Sequence, residues 1–384
     1  MINPTMLLAA VALTGAAVAS STAVAQVKLP PTVTMTAYDT GTSGFNITVA
    51  IGKMFKDKYG TDTRVLPAGN DVARLQPLRL NRATISAMGA GVYFAQEGVF
   101  EFATKEWGPQ AVQITLSSVD CNGLSLAIAA DSGAKTLADL KGKRVAFVVG
   151  SPALNQNALA MLAFANLTTK DVKIVEFASN NAMWKGAVNN DVDALFGSTI
   201  SGPAKELQTS PRGIVWPPLP HSDKAGWERV RKVGPYFTEH SATCGAGDFK
   251  DKPVQMGTYP YPIYTVYGSQ PEDEVYMLTK ALIEGYDGYK DNAPGASGLA
   301  VKTQTKNWAV PVHKGAVKAL KEAGAWSDDQ EKHNNALFKR QEVLAAAWSD
   351  FSKASPSSDS AKFAEEWMSA RKAALTKAGM IDTF

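Results

Sequence analysis

The sequence lacks the motifs that commonly mark a catalytic or nucleotide-binding site. It has no His-Glu-x-x-His, no Gly-x-Ser-x-Gly, no Gly-x-x-x-x-Gly-Lys-Ser/Thr loop, and no Gly-x-Gly-x-x-Gly after a predicted strand. Its four histidines lie in separate segments, and it has no Cys-x-x-Cys pair. These absences argue against an enzyme, a metal site and a bound cofactor.

Strong charge is also missing. The 39 basic and 36 acidic side chains leave a net charge of +3, and no basic run is interleaved with aromatic residues. A nucleic-acid-binding protein normally carries a basic patch, so this class has little support. A chain of 384 residues with 45% hydrophobic residues is ordered, and long enough for two lobes or domains.

Long apolar runs are scarce beyond the first 25 residues. That segment, MINPTMLLAAVALTGAAVASSTAVA, has no charged side chain and ends in Ala23-Val24-Ala25, the small-x-small pattern of a signal-peptidase site. Its apolar part is shorter than the ~20 residues that a spanning helix needs. The prediction is export with cleavage after about Ala25, with an uncleaved membrane anchor as the alternative.

The chain has only two cysteines, Cys121 and Cys244. An even number in an exported protein is compatible with a disulfide. Two buried, reduced thiols are equally compatible with the sequence.

Strand and helix patterns alternate from Thr32 to Trp216, which predicts parallel βαβ units with helices on both faces of a sheet. In such sheets, ligands bind beyond the carboxyl ends of the strands. Four of these ends carry turns rich in glycine and small polar residues: DTGTSG, AGND, VGSPALN and GSTISGP.

The third of these turns has the clearest local signal. Arg144 to Val149 reads as a buried strand, Gly150 ends it, Ser151 stands at a helix N-cap position and Pro152 at the first helical position. Such a turn presents unpaired backbone N–H groups at the positive end of a helix dipole. An anion is the expected ligand there, and solvent is the alternative.

A candidate for direct charge pairing follows the second turn. Arg74 lies one turn into the helix after AGND, where it could bind a ligand carboxylate bidentately. Asp39 and Asp71 are the carboxylates near these turns that could instead meet a ligand ammonium.

Several blocks of the chain resemble a known family. In chain order these blocks are TGTSGFNITVAIG, DSGAKTLADLKGKRVAFVVGSPALNQNALAML, VDALFGSTISGPAKEL and VPVHKGAVKALKEAGAW. Together they resemble, in the same order, sequence blocks of the TAXI family of solute-binding proteins. These proteins serve tripartite ATP-independent periplasmic (TRAP) transporters. The chain departs from the family at Asn46, Ile47, Asn70 and Ala73, so the specificity of other members does not transfer directly.

The resemblance implies an α/β fold of two lobes, that of the type II periplasmic binding proteins, with a helical C-terminal extension. The first lobe would comprise residues 26–125 and return, with the C-terminal helices, over 262–384; the second lobe would be 126–261. The four turns would then face each other across a cleft. The residues expected to bind the ligand there are Thr42, Ser43, Gly69, Asn70, Arg74, Ser151, Pro152, Asn155, Ser198 and Thr199.

The implied function is the capture of a small organic anion in the periplasm and its delivery to the membrane subunits of a TRAP transporter. The favoured ligand is a 2-oxoglutarate-like or dicarboxylic acid, with a glutamate-like amino acid as the alternative. A binding protein that presents its ligand to a membrane sensor is the second functional reading, and an exported enzyme is the third.

Overall fold

The computed structural model describes residues 26–247, 249, 252–304 and 308–384. The expected signal peptide, residues 1–25, lies outside the described residues. The helices and strands follow in chain order: β1 (Thr32–Tyr38), α1 (Ser43–Tyr59), β2 (Asp62–Ala68), α2 (Asp71–Arg79), β3 (Ile85–Met88), α3 (Gly91–Glu97), β4 (Val112–Ser117), β5 (Leu124–Ala129), β6 (Arg144–Val148), α4 (Pro152–Phe164), β7 (Lys173–Phe177), α5 (Asn180–Val188), β8 (Ala194–Ser198), α6 (Gly202–Thr209), β9 (Ile214–Val215), α7 (Lys224–Val233), β10 (Thr238–Ala242), β11 (Val254–Thr258), β12 (Ile263–Tyr267), α8 (Glu272–Glu284), α9 (Lys314–Glu322), α10 (Asp328–Lys353) and α11 (Ser360–Lys377).

The first lobe is built on a five-stranded sheet with the order β2-β1-β3-β12-β4. β1 pairs in parallel with β2 and β3, whereas β12 runs antiparallel to both β3 and β4. Apolar side chains of β1 and β3 pack against α1 and α8, and Val33, Ile51 and Leu282 belong to this core. Burial of such side chains is the main stabilising term for the lobe.

The second lobe is built on a sheet with the order β10-β11-β5-β8-β6-β7, and β9 pairs with β5. β6 is parallel to β7 and β8, while β5 is antiparallel to β8, β9 and β11. Because β5 and β12 run against their neighbours, both sheets are mixed and not uniformly parallel. The expected fold of two α/β lobes, that of the type II periplasmic binding proteins, is confirmed.

The C-terminal extension consists of α10 and α11, which pack on each other and on the first lobe. The Trp367 indole donates to the carbonyl of Gly98 at 2.7 Å, and Phe351 and Phe363 form a small apolar cluster with it. Glu97 of α3 is fully buried and binds both Arg340 of α10 and Arg371 of α11. A buried three-residue charge network therefore fastens the extension to the first lobe.

Two elements have no clear signal in the sequence. All seven residues of α3 are buried, so this helix lacks the alternation of polar and apolar faces that marks a surface helix. β10 has the sequence TEHSA, which is not rich in β-branched or aromatic residues, and its hairpin partner β11 supplies most of the apolar surface. Among the described residues, no helix is both long and apolar enough to cross a membrane.

Candidate functional site

A cavity of about 50 Å3 lies between the two lobes. Larger depressions of about 430 and 660 Å3 adjoin it and share Tyr259 and Ser201 with it, respectively, but neither is lined by Arg74. The residues lining the small cavity come from both lobes: Tyr38, Thr42, Ser43, Arg74, Gly89, Leu124, Ala153, Leu154, Asn180, Trp184, Phe196, Gly197, Ser198, Ser201, Tyr259 and Tyr261.

Four helices begin at this cavity. Ser43 is the first residue of α1, Ala153 lies in the first turn of α4, Asn180 opens α5, and Ser201 is the N-cap of α6. Each helix follows a strand of the sheet on which its lobe is built, so the turns after β1, β6, β7 and β8 meet here. The positive ends of four helix dipoles therefore surround one small space.

Arg74 supplies a full positive charge to the same space. Its side chain is completely buried, its Nη1 donates to the carbonyl of Ala87 at 2.9 Å, and its guanidinium lies 3.9 Å from the ring centre of Tyr38. Burial alone would lower the pKa of Arg74, but the neighbouring Asp71 carboxylate outweighs it and raises the pKa. Its Nε has no hydrogen-bond partner among the described residues. The guanidinium is thus charged and only partly satisfied.

Asp71 crosses from the first lobe to the second. Its Oδ1 pairs with Arg74, and its Oδ2 accepts from the backbone N–H of Ala153 at 2.9 Å and from the Ser151 hydroxyl at 3.2 Å. Gly91 leaves room for this carboxylate, because a Cβ at position 91 would lie 2.7 Å from the Asp71 Cγ. A carboxylate of the protein therefore already occupies the N-terminus of α4.

Asp39 does the same for α5. Its Oδ2 accepts from the backbone N–H of Asn181 at 2.8 Å, while the Asn181 side-chain amide donates to the carbonyl of Thr40. Two first-lobe carboxylates thus cap two second-lobe helices. Neither Asp39 nor Asp71 lines the cavity itself.

The remaining walls are mostly aromatic. Burial raises the pKa of Tyr38, Tyr259 and Tyr261, so their phenols are neutral in the physiological range. Tyr38 shares a hydrogen bond of 2.6 Å with the Ser151 hydroxyl, which adds another link between the lobes. Trp184 and Phe196 close the second-lobe side with apolar surface.

Four of the residues expected to bind ligand line the cavity: Thr42, Ser43, Arg74 and Ser198. Thr42 also caps α1 by accepting from the N–H of Phe45. The Ser198 hydroxyl accepts from the Asn122 side chain at 3.1 Å.

Three more of the expected residues join the lobes instead of lining the cavity. Gly69 accepts from the N–H of Asn180 at 3.0 Å, and Asn70 caps α2 and faces Gly150. Ser151 makes the bonds to Tyr38 and Asp71.

Three further expected residues do not face the cavity. The Asn155 amide is bonded to both backbone groups of Val148, at 2.8 and 3.1 Å, so its polar atoms turn back toward β6. Pro152 starts α4 without lining the cavity. The Thr199 hydroxyl accepts from Gly123 N–H and donates to the carbonyl of Cys244, which gives it a structural role.

Sequence reasoning misses most of the aromatic wall. Tyr38, Trp184 and Phe196 stand on strands or helices whose patterns read as ordinary core, and Ser201 stands in a turn that was predicted without singling this residue out. The Ser201 hydroxyl makes no capping bond to its own helix, so it is available to a ligand.

Cys121 and Cys244 form a disulfide with an S–S distance of 2.12 Å. The bond joins the segment before β5 to the loop after β10. Disulfides persist in oxidising compartments and are rare in the cytosol, so this bond suggests a location outside the cytoplasm.

Comparison with known proteins gives a family match. The model of the NMT1-like family matches residues 35–324. Solved structures are similar at low identity. A protein of Bordetella bronchiseptica RB50 is 14% identical with a TM-score of 0.44, over 81% of this chain and 98% of that chain.

Two other solved structures are proteins with bound ligands. The alkanesulfonate-binding protein SsuA from Xanthomonas axonopodis pv. citri, bound to MOPS, is 15% identical with a TM-score of 0.37, over 82% of this chain and 95% of that chain. An ancestral arginine-binding protein bound to glutamine is 15% identical with a TM-score of 0.43, over 70% of this chain and 99% of that chain.

Proposed function

This chain belongs to the NMT1-like family, and we propose that it is a solute-binding protein that holds a small organic anion between its two lobes. The observation that carries the proposal is that the Arg74 guanidinium and the N-termini of four helices meet at one inter-lobe cavity, where Asp71 and Asp39 cap α4 and α5 but not α1 or α6. This arrangement is suited to binding rather than catalysis, because it offers hydrogen-bond donors and a positive field without a nucleophile–base pair.

The available interactions are strong enough for a useful affinity. A helix N-terminus stabilises an anion by about 0.3–1 kcal/mol, and a charge-assisted hydrogen bond contributes about 1.5–3 kcal/mol. Four or five such contacts, less the cost of association, reach the ~8 kcal/mol of a micromolar complex.

The position of the cavity couples binding to closure. A solute that touches Ser43 on one side and Ser201 on the other binds the closed arrangement better than an open one, and so shifts the population toward closure. In the proposed clamp, residues 26–125 and 262–384 form one jaw and residues 126–261 the other.

The proposed transporter type and compartment rest on the resemblance of the sequence blocks to the TAXI family. We assign the chain to the periplasm as the soluble subunit of a TRAP transporter, which hands its ligand to the membrane subunits. The disulfide between Cys121 and Cys244 supports an oxidising compartment of this kind. The ligand class to screen is that of 2-oxo and dicarboxylic acids, with glutamate-like amino acids beside it.

A thermal-shift screen of the purified mature protein tests the proposal, followed by calorimetry on each hit. An acid that binds the folded state raises the melting temperature according to RT ln(1 + [L]/Kd). Ser43→Ala and Ser201→Ala should each weaken the binding of that acid, because both hydroxyls line the cavity. Ser352→Ala, an exposed change on α10, is the matched control. A folded protein that responds to no organic acid or amino acid contradicts the proposal.

A further inference from the structure

The positive charge around the cavity is largely balanced before any ligand enters. Four helix N-termini carry about half a positive charge each, so that together with Arg74 they supply about three. Asp71 and Asp39 place two carboxylates against α4 and α5. About one positive charge is left for a ligand, and Arg74 is the only ionised side chain among the described residues that line the cavity.

A second ligand charge has no partner in this space. Beyond Arg74, the walls are neutral phenols, small hydroxyls, an amide and the apolar surfaces of Leu124, Trp184 and Phe196. An unpaired carboxylate or ammonium against such walls loses its hydration without compensation. Both a dianion and a zwitterionic amino acid are disfavoured for this reason.

The cavity is also small. Its volume of about 50 Å3 is well below the roughly 300–1,000 Å3 of a pocket that holds a drug-sized ligand. The closed cavity therefore favours a short acid over a longer one.

Asp71 determines both the width of the closed cleft and the net charge beside Arg74. Widening the cleft would draw Ser151 and Ala153 away from the Asp71 carboxylate, which is fully buried. Those two hydrogen bonds join opposite lobes, so the lobes can close around a larger solute only if both bonds stay broken. Breaking them leaves a buried carboxylate with Arg74 alone and uncaps α4.

Resting on the proposed function, we propose that this cleft selects short organic acids with a single carboxylate, and that Asp71 is the residue that determines this specificity. The inference narrows the ligand class expected from the sequence. The five-carbon 2-oxo diacids and glutamate-like compounds become the disfavoured ligands.

The test is a set of calorimetric titrations of the mature wild-type protein with pyruvate, propionate, succinate, 2-oxoglutarate and alanine. Pyruvate or propionate should bind at least about tenfold more tightly than either diacid, the ratio expected for one unpaired charge-assisted contact. Alanine, which carries the additional ammonium, should bind more weakly than propionate. Equal or tighter binding of succinate, 2-oxoglutarate or alanine overturns the inference and leaves the proposed function intact. Binding of none of the five by a folded protein counts against the proposed function as well.

Asp71→Asn then tests the residue itself. The change removes one negative charge beside Arg74, so the affinity for succinate should rise relative to pyruvate by about tenfold. Asp57→Asn, on an exposed side chain of α1, should leave the ratio unchanged. An unchanged ratio in a folded Asp71→Asn variant refutes the role of Asp71.

A second variant separates the effect of ligand size from that of ligand charge. It also provides a test if Asp71→Asn does not fold. Leu154→Ala enlarges the cavity from the second-lobe side without altering any charge. This variant should strengthen the binding of butyrate relative to propionate, and succinate should still bind more weakly than butyrate. If the affinity for succinate rises as much as the affinity for butyrate, charge is not what excludes the diacid.

Discussion

Replacement of Glu97 by glutamine should detach the C-terminal helices from the first lobe. Glu97 is fully buried and accepts from Arg340 Nε at 2.7 Å, Arg340 Nη2 at 2.8 Å and Arg371 Nη2 at 2.5 Å. Arg371 is itself completely buried and has Asp382 as its other acidic partner. Glutamine keeps the shape but removes the negative charge, so two arginines are left with one remaining carboxylate.

The expected cost follows from the burial. Removing one partner of a buried ion pair costs about 3–5 kcal/mol, because the charge that remains is uncompensated. The free energy of unfolding should fall by that amount in a denaturant titration. The substitution should also accelerate hydrogen exchange more in α10 and α11 than in α1. The control is Glu342→Gln, whose exposed pair with Lys339 on α10 is worth about 0.2–1 kcal/mol. A loss below about 1 kcal/mol for Glu97→Gln, with unchanged exchange in both helices, would refute this reasoning.

Three further predictions concern the site, the pH response and the disulfide. Asp71→Asn should lower the free energy of unfolding by about 3–5 kcal/mol, because Arg74 loses its buried counter-charge; Asp57→Asn should change it little in the same denaturant titration. Burial raises the pKa of Glu101 from 4.5 to about 7, so between these values the folded state holds a proton that the unfolded state has released, and stability falls as pH rises. Glu101→Gln should therefore flatten the profile and raise the free energy of unfolding at pH 8 by about 1–2 kcal/mol, with no gain at pH 4, and an unaltered profile would contradict the assignment. Cys121→Ala with Cys244→Ala should cost about 2–5 kcal/mol, since the bond closes a separation of 123 residues in the unfolded chain; reduced wild-type protein that unfolds like the oxidised form would rule this out.

Local patterns predict the framework of the site well. The strand–Gly–Ser–Pro–helix pattern around Gly150 places β6 and α4 correctly, and the AGND turn places the start of α2, because these features depend on near neighbours in the chain. Three of the four predicted turns, those after β1, β6 and β8, supply lining residues of the cavity; AGND supplies none, and the turn after β7 takes its place. The expectation that strand ends carry the site therefore needs only local signals and the general geometry of α/β sheets.

The partners of the charged groups could not be predicted in this way. Asp71 and Ala153 are 82 residues apart, and Asp39 and Asn181 are 142 apart, so nothing local indicates that these carboxylates cap helices of the other lobe. Packing between the lobes decides which donors these carboxylates take and which donors remain for a solute. Asn155 is a different case, because the Val148 backbone groups that bind its amide lie only seven residues earlier in the chain; the turn pattern offers Asn155 to a ligand but does not indicate which way its side chain turns.

A distance measurement across the cleft tests the clamp most directly. Spin labels carried by unnatural amino acids at the exposed positions of Lys53 on α1 and Lys185 on α5 would report the separation of the lobes and spare the disulfide. The best-binding acid from the titrations should shift the distance distribution to its shortest component, because the solute contacts both lobes. An acid that binds in calorimetry but leaves this distribution unchanged would contradict capture between the lobes.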